Sequence, residues 1–151
     1  MRVFTSLDEI SAASGEDLGT SEWVTIEQDR VDQFAEATGD HQWIHVDVER
    51  ATAGPFGGTV AHGYLTLSLL PWLGSTIFSF DTPGATLNYG SNKVRFPNPV
   101  PVGKQVRAVV ALGEVKDVPA GKQCTLTYTI EIDGEAKPAL VAETVVLLLE
   151  A

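Results

Sequence analysis

No Asp, Glu, Lys or Arg occurs between Arg50 and Asp81. In a chain of 151 residues with a formal charge of -10, that gap marks where the interior must be built. Its most apolar part, Tyr64 to Phe80, has apolar residues on every helical face, and the expectation is a helix surrounded by protein. It does not read as a membrane span. Such a span takes about 20 mainly apolar residues, whereas Thr66, Ser68, Ser75, Thr76 and Ser79 interrupt this one. Pro71 has no N–H and should bend or break the helix.

The second half has the other periodicity. Four strands are expected, at roughly 85–96, 105–115, 123–132 and 139–149, with Val106, Ala108, Val110 and Leu112 as the clearest alternation. Asp133-Gly134 is a hairpin signal. Phe96-Pro-Asn-Pro-Val-Pro-Val-Gly103 cannot run on in a central strand and must turn. A helical first half and a strand-rich second half point to an α+β fold over residues 1–151, one antiparallel sheet curled round a central hydrophobic helix. The last strand is apolar on both faces at its end, so a second covered face or a subunit partner is expected.

The acidic balance argues against nucleic acid, whose phosphates need Lys and Arg, and against an anionic membrane surface. Cys124 is the only cysteine and lies in an expected strand, so it reads as buried and structural. With no disulfide possible within the chain and acids near the N-terminus, a cytoplasmic location is expected.

The chemistry concentrates in Phe34-Ala-Glu-Ala-Thr-Gly-Asp40-His-Gln-Trp-Ile-His45. Thr25-Ile-Glu-Gln28 has the form of a capping box, and Val31, Phe34, Ala35 and Thr38 make one buried helical stripe. Gly39 fits the left-handed position past the last turn. Asp40 and His45 then follow five residues apart. On one helix they would diverge by about 140°; on an irregular segment they can converge on one water. A carboxylate at a helix C-terminus is unfavourably placed, so Asp40 is either a loop residue bonding local amides or a functional one. A carboxylate beside His45 would tune it as a base. His62-Gly63 begins the buried helix, where unpaired amides and a bare Cα suit an oxyanion. Lys93 and Arg95 lie two apart on a strand; a phosphate site and two solvated charges are both open readings. His41, His45, His62 and Asp40 lack metal-ligand spacing, so no metal is expected, and no nucleotide fingerprint is present.

These residues resemble the MaoC-like, or (R)-specific enoyl-CoA hydratase, family. The matching residues are Phe34, Gly39-Asp40, Ile44-His45 and His62-Gly63, with Val94 to Gly103 similar to the family's exit from its first long strand. The chain looks most similar to the NodN-like and mycobacterial (3R)-hydroxyacyl dehydratase branch. The resemblance implies a single hot-dog fold, a homodimer joined edge to edge, and no cofactor beyond the substrate, an acyl-CoA or acyl-carrier-protein thioester. It implies reversible hydration of a trans-2-enoyl-CoA to the (3R)-3-hydroxyacyl-CoA. Asp40 and His45 would activate the water, and the Gly63 amide would polarise the thioester. Gln42, Trp43, His62, Lys93 and Arg95 are the candidate substrate-binding residues. The family's Asn-Pro pair is Gln42-Trp43 here, at the position that helps hold the water and next to the acyl pocket. Two other readings stand beside hydration: a hot-dog thioesterase, and a non-catalytic acyl-CoA-binding or partner subunit.

Overall fold

Two short strands and a helix open the chain, which the computed structural model describes over residues 1–151. They are β1 (Arg2–Phe4), α1 (Leu7–Ala12) and β2 (Asp17–Thr20). Ser6 caps α1, its Oγ accepting the Glu9 amide at 3.2 Å, while Glu9 reaches back to the Thr5 amide at 2.7 Å. The chain continues through β3 (Val24–Thr25), α2 (Gln28–Thr38), α3 (Trp43–Val46) and α4 (Val48–Thr52). The interior helix is α5 (Gly63–Ser68) followed by α6 (Leu70–Gly74). The strands β4 (Phe78–Phe80), β5 (Thr86–Arg95), β6 (Gln105–Val118), β7 (Gly121–Ile132) and β8 (Leu140–Leu149) complete the fold.

The main sheet is antiparallel and runs β2-β6-β7-β8-β5, with β3 also paired to β6. In β6, buried Val106, Ala108, Val110 and Leu112 alternate with half-exposed Arg107, Val109 and Ala111. Cys124, Leu126, Tyr128, Ile130 and Ile132 do the same in β7. Those inner faces pack on Leu65, Leu69, Leu70 and Leu73 in one core, so the sheet wraps the helix as expected. This is the hot-dog α+β fold, with the sheet left open. No helix is long and apolar enough to cross a membrane.

Three expectations need correction. The interior helix stops at Gly74 and does not reach Phe80. Residues 78–80 instead pair in parallel with β1, Phe4 opposite Phe80. A short apolar run fits a strand as well as a helix, and here the partner strand decides. The helix is also not enclosed on every side, since Tyr64 is 70% and Trp72 44% exposed. The break expected at Pro71 is present: the helix is interrupted at Leu69, and Pro71 lies in the first turn of α6. Finally, Thr25 does not cap α2: Glu27 is the cap residue, and Gln28 already lies inside the helix with its side chain committed elsewhere.

Candidate active site

Gly39 ends α2 with a left-handed backbone, φ 79°, and its amide returns to the Ala35 carbonyl at 2.8 Å. A side chain would be strained there, which is why glycine suits the position. The chain turns sharply, and Asp40 begins an irregular stretch. Its Oδ1 accepts the Gln42 amide at 3.3 Å, a local turn in which one carboxylate oxygen orders the loop. One helical turn, α3, then carries His45 inward to 7% exposure. A carboxylate oxygen of Asp40 and one ring nitrogen each of His45 and His62 lie within 4.8 Å of one another. Asp40 itself stays exposed, so the group opens to solvent on the carboxylate side.

The His45 tautomer follows from its partner. Nδ1 lies 2.6 Å from the Val60 carbonyl. A carbonyl only accepts, so Nδ1 carries the proton and Nε2 of the neutral ring is bare. Burial holds the His45 imidazole below its ordinary value and the His62 ring adds to this; the Val60 bond and Asp40 oppose both. The net result is a base that stays unprotonated below the usual imidazole range. The His45 main chain is fixed too. Gln28 Nε2 donates to its carbonyl at 2.8 Å, and Thr59 Oγ1 donates to Gln28 Oε1 at 2.6 Å.

His62 is deeper still, at 2% exposure. Its Nε2 donates to the Asp40 carbonyl at 2.9 Å, and its ring stacks on His45 with centroids 3.8 Å apart and planes 22° from parallel. Three clustered ligand residues, one carboxylate and two imidazoles, which sequence spacing does not reveal, are raw material for a cation site. The stacking works against one: near-parallel rings send their in-plane lone pairs side by side, where a shared ion needs them to converge.

Gly63 follows as the first residue of α5, and its amide has no acceptor within the chain. A Cβ there would sit 3.2 Å from the Phe96 ring. A side chain there would press on the Phe96 ring, and the bare Cα suits close approach by a ligand.

The remaining candidates are less concentrated. Gln42 is exposed beside Asp40. Trp43 turns toward the loop at Gly54, which has room for no side chain beside it, and Arg50 covers the indole at 4.3 Å. Lys93 faces Glu143 across the strands. Arg95 donates to the Val94 carbonyl at 2.7 Å, and only its neighbour Phe96 touches the start of α5. The structure thus unites Asp40, His45, His62 and Gly63, and leaves Lys93 and Arg95 along the exposed edge strand. Sequence reasoning missed Gln28, Thr59 and the Val60 carbonyl. Gln28 reads as a capping-box residue rather than a site residue, Thr59 carries no motif, and a backbone acceptor carries no residue signal at all.

A groove of about 670 Å³ follows α5 and α6 on the side facing β5. Leu67, Leu70, Pro71, Phe78 and Phe80 line it, with Tyr128 and Gly74 at its floor. A Cβ on Gly74 would meet Tyr128 Oη at 2.7 Å, so the glycine lets α6 pack directly on that tyrosine.

The model of the MaoC like domain matches residues 9–133. The 3-hydroxyacyl-thioester dehydratase Z of Mycobacterium tuberculosis is 55% identical over 147 residues, covering 97% of each chain. Nodulation protein N of Rhizobium leguminosarum bv. viciae is 45% identical over 149 residues, covering 95% of this chain and 91% of that one. Among solved structures, the (R)-hydratase from A. caviae involved in PHA biosynthesis superposes with a TM-score of 0.73 at 26% identity, over 89% of this chain and 96% of the other. With the motif residues of the loop and the helix start gathered in one place on this fold, the chain belongs to the MaoC-like dehydratase family.

Proposed function

We propose that the protein reversibly hydrates trans-2-enoyl thioesters to (3R)-3-hydroxyacyl thioesters. The observation that carries this is the fixed His45 tautomer, which leaves Nε2 bare in a ring clustered with the Asp40 carboxylate and His62. Asp40 accepts one hydrogen bond from a water and orients it. His45 Nε2 takes the water's proton as its oxygen adds to C3. The electrons move to the thioester oxygen, where the unpaired Gly63 amide meets the developing enolate. His45 then returns the proton to C2, so one water supplies both added groups on one face. Dehydration is the reverse. The balance needs no redox cofactor and no metal.

The apolar groove along α5 and α6 suits the acyl chain. A thioester of CoA or of acyl carrier protein would bring phosphate, for which Lys93 and Arg95 on β5 are the candidate bases. The open edge of β5 carries Leu87 and Tyr89, 47% and 66% exposed, and supports a homodimer joined there. A cytoplasmic location fits the buried, unpaired Cys124.

The test is turnover of trans-2-butenoyl-CoA in ¹⁸O-labelled water by the purified protein. The expected product carries the label at C3, has the (3R) configuration and keeps its thioester. Release of free thiol would assign a thioesterase. Binding without turnover would assign a non-catalytic subunit.

A further inference from the structure

We infer that His62 is a positioning residue that sets both members of the water-activating pair, Asp40 through its main chain and His45 through its ring face. This rests on the hydration reading above and gives His62 a role other than touching substrate. At 2% exposure the side chain has no free surface to offer a ligand.

The ring is held on several sides. Phe34 of α2 packs against it with centroids 4.9 Å apart and planes at 56°. His45 covers a face at 3.8 Å. The Nε2–H reaches the Asp40 carbonyl at 2.9 Å, across 22 residues of sequence. That bond restrains the Asp40–His41 peptide, one residue past the left-handed Gly39, where the loop would otherwise be free to carry the carboxylate away. The stack restrains the His45 ring, whose Nδ1 is tethered to Val60. Edge and face together leave the ring little freedom to turn its bare Nε2 off the water.

Packing does not account for a histidine here. His62 Nδ1 is buried with no partner in the chain. An unpaired buried acceptor is destabilising, and a phenylalanine would fill similar volume without it. The group that distinguishes His62 from an apolar ring is the Nε2 donor, and its one partner is Asp40. The titratable groups around His45 are few. Asp40 faces it from the loop after α2 and His62 from the start of α5. On α2, Asp32 is tied to Gln28, and Glu36 pairs with exposed His41 at 3.5 Å. Replacing His62 removes the neighbouring imidazole that, once protonated, opposes a proton on His45.

The test compares His62→Gln, which can keep an N–H donor but loses the ring, with His62→Phe, which keeps the ring but loses the donor. Each is expected to lower kcat by about 10- to 100-fold, the scale of a misplaced catalytic group, with KM for the enoyl-CoA within about twofold. In both, the His45 midpoint followed by imidazole NMR in the resting protein should move upward. A raised KM with unchanged kcat would overturn the inference by making His62 a substrate contact. Folded variants with wild-type kcat and an unmoved His45 titration would overturn it as well. So would failure of both variants to fold, which assigns the residue to stability alone; if only His62→Gln fails, His62→Phe decides. If the unaltered protein turns over no enoyl thioester, the hydration reading fails, and the NMR titration still tests whether His62 sets His45.

Discussion

His45 gives its Nδ1 proton to the Val60 carbonyl at 2.6 Å, and this bond between neighbouring segments decides which nitrogen is the base. In His45→Gln the amide can still reach Val60 but cannot accept and return a proton. Hydration of trans-2-butenoyl-CoA is expected to fall by about 10²- to 10⁴-fold, the range for loss of a general base. Circular dichroism and the melting temperature should show the variant folded. Because burial depresses the His45 imidazole, the acid limb of kcat/KM for hydration should lie below pH 6.5, its ordinary value. A limb at or above that pH would contradict the depression of this ring.

The same shift links pH to stability. A histidine depressed in the folded state binds a proton more readily when unfolded. Below pH 6.5 the unfolded chain therefore gains protons before the folded one, and stability falls until the pH passes the lower folded value. Above pH 6.5 this contribution is fully present. Denaturant melts from pH 7 to pH 5 should show the loss, and His45→Gln should show a smaller slope over that window than the unaltered protein.

Gln28 connects α2 to the site, its amide donating to the His45 carbonyl and its oxygen accepting from Thr59. Gln28→Ala strips a partner from both groups, with a destabilisation of about 1–3 kcal/mol for unpaired buried polar atoms. It also frees the α3 turn, so kcat should drop more than KM rises. Urea melts and steady-state kinetics on the same preparation check both parts.

Gly74 and Tyr128 meet at the floor of the groove along the interior helix. Gly74→Leu places a side chain where Tyr128 Oη now stands 2.7 Å from the Cβ position. Long-chain enoyl-CoA turnover should fall at least about tenfold relative to butenoyl-CoA, as expected when apolar contacts worth more than one methylene are lost. Equal losses for short and long chains would place the acyl group elsewhere.

The loop that holds the site was readable because its constraints are local. Gly39 needs the left-handed backbone, Asp40 follows at once, and His45 lies one helical turn further on. The four long strands were readable for a similar reason, since period-two burial survives in Val106 to Leu112 without knowledge of partners. What escaped depends on distant chain. Phe78 to Phe80 continues an apolar run and becomes a strand only because β1 lies beside it. Gln28 looks like a capping residue in sequence, but its oxygen and nitrogen are taken by Thr59 and His45, 31 and 17 residues away. The stacking of His45 on His62 has no sequence signature, and it adds a third residue to the proposed activating pair.

The most direct measurement is the rate of trans-2-butenoyl-CoA hydration by Asp40→Asn beside the unaltered protein, with melting curves for both. Asn keeps the shape and the local turn but presents one acceptor in place of a charged carboxylate. Hydration by the unaltered protein, with a loss of about 10²-fold or more in a fully folded Asp40→Asn, is the expected result. A folded Asp40→Asn that hydrates at the unaltered rate would contradict the central claim that Asp40 and His45 activate the water together.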